Sequence, residues 1–168
     1  PKHIILEAGI AQNITFDHLD AGTYEFTLAY LETNNYNAAR KSVNVTVAKA
    51  NVTMNITSND VTYPDNITLT LLSDVSGNYS LYIGTSSPQT VVLEAGVVKE
   101  VKFSGFDAGT YKFTLAYLGS DNYNVASEHV TVNVAKANVN MTITAEDVVY
   151  PNDVIVTLMS DVSGRYSL

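Results

Sequence analysis

Laid over itself, the chain repeats with a period of 87 residues, and no insertion or deletion is needed anywhere. Leu6-Glu7-Ala8-Gly9 returns as Leu93-Glu94-Ala95-Gly96, and Asp20-Ala21-Gly22-Thr23-Tyr24 returns as Asp107-Ala108-Gly109-Thr110-Tyr111. The same offset carries Lys49 to Lys136, Tyr63-Pro64 to Tyr150-Pro151, and Ser73-Asp74-Val75-Ser76-Gly77 to Ser160-Asp161-Val162-Ser163-Gly164. More than half of the aligned positions are identical. Self-similarity at a fixed period identifies a repeat architecture before any finer reading. Solenoid units run to roughly 20–45 residues, so a unit of 87 suits a small β-sandwich that buries its own core.

The 168 residues fall six short of two periods, the missing positions being the equivalents of Tyr82 to Ser87. Ala48-Lys49-Ala50-Asn51 reads as a joint where the last strand of one unit runs into the first strand of the next. Residues 49–135 are then one complete module, residues 1–48 the C-terminal part of a preceding one, and residues 136–168 the N-terminal part of a following one. Neither part contains enough strands to close a core, and open strand edges invite association. Copies of the chain, or adjacent modules of the same protein, are therefore the expected partners. Residues 136–168 of one copy are expected to complete residues 1–48 of the next, head to tail, as a filament.

Within residues 49–135, alternation of period two recurs in short runs separated by Gly, Pro, Asn and Asp, which predicts an all-β unit without helices. Val52, Met54 and Ile56 mark the first strand, and Ile67, Leu69 and Leu71 the second. Tyr79, Leu81 and Ile83 mark the third. Thr90–Glu94 and Val97–Phe103 read as the fourth and fifth, joined across Ala95-Gly96 as a hairpin. Tyr111, Phe113, Leu115 and Tyr117 line the sixth, and Val130, Val132 and Val134 the seventh. Seven strands in two sheets lead to a tandem array of immunoglobulin-like Greek-key sandwiches; a jelly roll or a simple barrel would satisfy the same spacing.

Composition narrows the function. Seventeen acidic and nine basic residues leave a net charge of −8, which repels phosphate backbones and anionic lipid surfaces, so nucleic acid is not an expected partner. Without cysteine the chain has no disulfide, thiolate ligand or thiol nucleophile. Neither a charged-then-apolar leader nor an apolar run of about 18 residues occurs in it, so no direct membrane insertion is expected.

The order Phe106-Asp107-Ala108-Gly109-Thr110-Tyr111, Tyr117-Leu118-Gly119-Ser120-Asp121-Asn122-Tyr123, Val134-Ala135-Lys136, matched by Leu19–Tyr24, Tyr30–Tyr36 and Val47–Lys49, resembles the bacterial and archaeal immunoglobulin-like repeats of adhesin-like cell-surface proteins, abundant in methanogens. The likeness covers the whole chain. Glu32 and Asn34 depart from Gly119 and Asp121, which bears on one turn. The resemblance implies an extracellular, cell-surface location. Tyr24 and Tyr111, each following Ala-Gly-Thr at the entrance to a core strand, suit a tyrosine corner, whose hydroxyl bonds nearby backbone.

A catalytic or metal site belonging to the unit would recur in both copies, and the histidines do not: His3, His18 and His129 stand opposite Thr90, Gly105 and Ser42. The recurring acids Glu7/Glu94, Asp20/Asp107, Asp60/Asp147 and Asp74/Asp161 mostly sit beside Gly or Pro, where turn chemistry accounts for them better than a calcium loop. Lys49 and Lys136 read as solvated lysines at the joint rather than as partners in a side-chain amide crosslink. No catalytic residue, cofactor or metal site is expected, and the chain is not expected to be an enzyme. Asn13, Asn44, Asn51, Asn55, Asn66, Asn78 and Asn140 each begin an Asn-X-Ser/Thr acceptor, more than composition alone would scatter, which makes N-glycans candidate covalent partners. The plain alternative is that Asn and Thr fill outward strand positions. Two functions follow: a stiff stalk, fibre or spacer without slack at its joints, or an adhesive module recognising carbohydrate or protein through its loops, with Tyr82 and Tyr123 the aromatics to watch.

Overall fold

Residues 2–168 are described by a computed structural model, and among them every regular element is a β-strand. β1 (Gly22–Tyr30) and β2 (Ala39–Val47) form a two-stranded antiparallel hairpin. Eight strands follow: β3 (Met54–Thr57), β4 (Val61–Thr62), β5 (Ile67–Ser73), β6 (Gly77–Ile83), β7 (Gln89–Leu93), β8 (Lys99–Phe103), β9 (Gly109–Tyr117) and β10 (Ala126–Ala135). They make two separate sheets, in the orders β3-β5-β8 and β4-β10-β9-β6-β7. A second hairpin, β11 (Met141–Ala145) with β12 (Val156–Ser160), completes the description.

Alternation explains the core. Ile67, Leu69 and Leu71 of β5 point one way and are fully buried, while Thr68 and Thr70 between them are only half-buried. Tyr79 and Leu81 of β6, Phe113 and Leu115 of β9, and Val132 and Val134 of β10 meet them in a single buried cluster. Two sheets enclosing one such cluster are consistent with a β-sandwich. Burying each of these large side chains contributes about 1.5–3 kcal/mol.

Two expectations need correction. Residues 49–135 hold eight strands, because Val61–Thr62 pairs in parallel with Val134–Ala135, and two residues are too few to display a period. Nor do the strands flanking Ala95-Gly96 form a hairpin. β7 pairs with β6 and β8 with β5, so the connection crosses from one sheet to the other. Gly96, at φ +72°, turns the chain, and its N–H donates to Ser73 O at 2.8 Å. Leu93, buried, and Val101, half-buried, thereby contribute to one core from opposite sheets.

The 87-residue offset is present in the backbone as well as the sequence. Tyr24 pairs with Val45 as Tyr111 pairs with Val132, and Met141 pairs with Ser160 as Met54 pairs with Ser73. The turn closed by Ile10 N–H on Glu7 O at 3.1 Å recurs with Val97 and Glu94 at 3.1 Å. Where Gly105 takes φ +78°, His18 takes +58°, a region costly for most side chains but more accessible to histidine. What differs is cover. Leu115 is 0% exposed and its equivalent Leu28 51%; Ile56 is 5% exposed and its equivalent Ile143 63%.

Candidate functional site

Two surfaces stand out, and the first is the pair of bare apolar faces on the hairpins. On β1–β2, Leu28, Tyr30, Val43 and Val45 are exposed; on β11–β12 and the segment after it, Met141, Ile143, Leu158, Tyr166 and Leu168 are exposed. Apart from Val130, the equivalent of Val43, the corresponding residues of the 49–135 unit are all buried. A two-stranded hairpin is marginal in water unless its apolar side is covered. Tyr166 also retains the local bonds of its equivalent. Tyr79 Oη lies 2.6 Å from Ser73 Oγ and donates to Val75 O at 2.6 Å; Tyr166 Oη lies 2.7 Å from Ser160 Oγ and donates to Val162 O. Burial pushes the Tyr79 phenol above its ordinary pKa, with the Ser73 hydroxyl partly opposing the shift.

The second surface is the joint. Asn122 bridges it, donating from Nδ2 to Asp20 Oδ1 at 2.7 Å and accepting the Ala21 N–H on Oδ1 at 2.7 Å. Ala50 N–H donates to Asn122 O at 2.9 Å, Asn124 N–H donates to Ala50 O at 2.8 Å, and Ala50 forms a parallel bridge with Tyr123. Lys49 Nζ donates to Ser120 O at 2.7 Å, and Asn124 Nδ2 donates to Asn51 Oδ1 at 2.8 Å. The loop between β9 and β10 thus grips both the linker and the loop ahead of β1. Each uncharged bond contributes only about 1 kcal/mol net, but bonds in several directions fix an angle.

Tyr24 and Tyr111 make the same bond in the two copies: their hydroxyls donate to Asp20 O at 2.8 Å and Asp107 O at 3.0 Å. The joint gives the first of these corners a further role, since it shapes the loop that Asn122 grips. Lys49, expected to be merely solvated, is bonded to a carbonyl across the joint. Tyr123, expected as an exposed aromatic, packs against the core, and Tyr82 is half-buried. His3, His18 and His129 are exposed. Asp74 Oδ1 accepts Thr53 N–H at 2.9 Å and Asp161 Oδ1 accepts Asn140 N–H at 3.0 Å, so this recurring pair of acids ties down backbone in both copies. Among the described residues, no group of three or more His, Asp or Glu side chains could hold a metal ion.

All seven glycosylation acceptors are exposed. Two of their amides are engaged: Asn51 accepts from Asn124, and Asn140 Nδ2 donates to Asp161 Oδ2 at 2.9 Å. None of the seven recurs as an acceptor at the 87-residue offset, so any glycan pattern belongs to individual copies and not to the unit.

Nothing in the periodicity of the sequence marks Asn122, Asn124 and Asp20 as joint residues. Their signal was there: Asn35-Tyr36-Asn37 is kept intact as Asn122-Tyr123-Asn124 inside a loop whose preceding residues vary. No protein-family model and no curated protein sequence matches the chain.

Proposed function

We propose that the chain is a structural segment of an extracellular surface fibre or stalk, built from immunoglobulin-like sandwiches in tandem, in which each hairpin belongs to a module completed head to tail by the strands it lacks, supplied by adjacent modules of the same protein or by another copy. One observation carries this reading: the apolar residues bare on the hairpins are the 87-residue equivalents of residues that the 49–135 unit buries. In that unit the strands equivalent to β11–β12 pack in the same core as the strands equivalent to β1–β2, so each hairpin matches what the other lacks. The sheet orders support the immunoglobulin-like assignment, because the first, third and sixth strands of the unit share one sheet while in the other the seventh lies between the fourth and the eighth. The hydrogen-bonded joint supports a spacer that holds its modules at set angles. The cell-surface location rests on the family resemblance and on the exposed Asn-X-Ser/Thr acceptors.

Sedimentation of the full chain across a wide concentration range tests the proposal, with electron microscopy of the concentrated sample. Head-to-tail oligomers that lengthen with concentration are expected. A chain that stays monomeric at high concentration, with both hairpins unprotected, defeats inter-chain completion.

A further inference from the structure

The first stretch of the 49–135 unit and its last strand run side by side in one parallel register. Ala50 bridges to Tyr123, Asn51 Oδ1 accepts from Asn124 Nδ2 at 2.8 Å, Asp60 Oδ1 accepts Asn133 N–H at 2.7 Å, and Val61 and Thr62 pair with Val134 and Ala135, every partner 73 residues on. Between these points β3 leaves to pair with β5 in the facing sheet, while Met54 and Ile56 stay in the same core as Val132 and Val134. The register is thus fastened at both ends. At the entrance Ala50 N–H donates to Asn122 O at 2.9 Å and Ala50 O accepts Asn124 N–H at 2.8 Å; at the exit Tyr63 N–H donates to Ala135 O at 2.9 Å. Asp60, one of the recurring acids, lends its carboxylate to a ladder whose own strand is two residues long.

Direction matters, because the chain enters the unit at Lys49 and leaves it at Lys136. Tension on those two ends drags residues 50–63 backward and residues 122–135 forward, so that two parallel runs must slide past each other. Every bond between them is then stretched at once, whereas a pair peeled from one end breaks its bonds one by one. The load also has a short path. It crosses from Ala50 to residues 122–124 and runs along β10 to the exit, without passing through the other strands of the sandwich.

We infer that the 49–135 unit is a tension-bearing module, in which β10 carries the load and its parallel contacts with Ala50 and with residues 60–63 form a clamp that must shear before the core opens. This function rests on the fibre reading only for where the tension comes from; the path itself lies within one chain.

The chain contains no cysteine, so paired thiols introduced into the full chain attach optical-tweezer handles at chosen points. Ala48→Cys with Ala137→Cys pulls lengthwise, along β10. Lys102→Cys with Lys112→Cys pulls across the strands, since these two residues are exposed between core positions on opposite sheets. At one loading rate the lengthwise pair should unfold the unit at the higher force. Asp60→Ala should raise the lengthwise unfolding rate at a set load roughly two- to tenfold, the contribution of one hydrogen bond, and leave the crosswise rate unchanged. Leu115→Ala, in the core, should raise both. Equal forces in the two directions, or an Asp60→Ala effect that is the same in both, overturn the clamp. A single tethered chain needs no assembly, so the clamp can stand in a chain that stays monomeric and can fail in one that forms fibres.

Discussion

Leu28 and Leu115 are the same residue in two environments, and truncating each separates the energetics of the covered unit from those of the bare hairpin. Leu115 is 0% exposed in the core of the 49–135 unit. Leu115→Ala removes its transfer free energy and leaves a cavity among well-packed neighbours such as Phe113 and Leu81, so the unit should lose about 2–5 kcal/mol. Leu28 is 51% exposed, on a hairpin that stands outside the main core. In dilute solution Leu28→Ala creates no enclosed cavity and removes a group that is already half in water. Its effect on the main unfolding transition should stay within about 0.5 kcal/mol. Urea denaturation of the full chain, followed by far-ultraviolet circular dichroism, reads both as shifts in midpoint at constant slope. Under associating conditions Leu28 passes into a completed core, and Leu28→Ala should then approach the cost of Leu115→Ala. Equal costs in the dilute monomer would refute the argument, because Leu28 would already be doing the work of a core residue there.

Further predictions follow from local geometry. Tyr111→Phe removes the bond to Asp107 O and should cost the dilute chain about 0.5–1.5 kcal/mol by denaturation, whereas Tyr24→Phe, on the hairpin, should leave the main transition in place. Gly119 takes φ +84°, and a Cβ there would stand 3.2 Å from both Tyr123 O and Val125 Cγ1, so Gly119→Ala should destabilise by about 1–3 kcal/mol. The pKa of Tyr79 is raised by burial; stability from its neutral phenol is fully present below the unfolded tyrosine pKa of about 10 and is lost as pH rises through the higher folded value. Alkaline titration should accordingly show one phenol ionising late and together with unfolding, a feature that Tyr79→Phe removes.

The sequence made the strands readable because most of them alternate cleanly over five or more residues, as in Ile67–Ser73 and Gly109–Tyr117. It made the repeat readable because identity at one spacing survives every local ambiguity. Sheet membership was harder. A glycine turn between two apolar runs has the same signature whether the chain doubles back or crosses to the facing sheet, and Ala95-Gly96 does the latter. Val61–Thr62 is held by its partner Val134–Ala135 and has no pattern of its own. The joint escaped because loop residues have no periodicity to betray them. Asn122 matters through a carboxylate and an N–H about a hundred residues away, which only a folded chain brings together. At Glu32 the expected turn departure is real: Gly119 has positive φ and Glu32 does not, yet the turn beyond it keeps both of its bonds.

Amide hydrogen exchange over Gly22–Tyr30 and Gly109–Tyr117, in the same chain at low and high concentration, compares two copies of one strand directly. The account predicts that Gly109–Tyr117 is protected throughout, while Gly22–Tyr30 exchanges quickly in the monomer and becomes equally slow once copies join. Strong protection of Gly22–Tyr30 in the isolated monomer, or its continued rapid exchange within an assembled fibre, would contradict it.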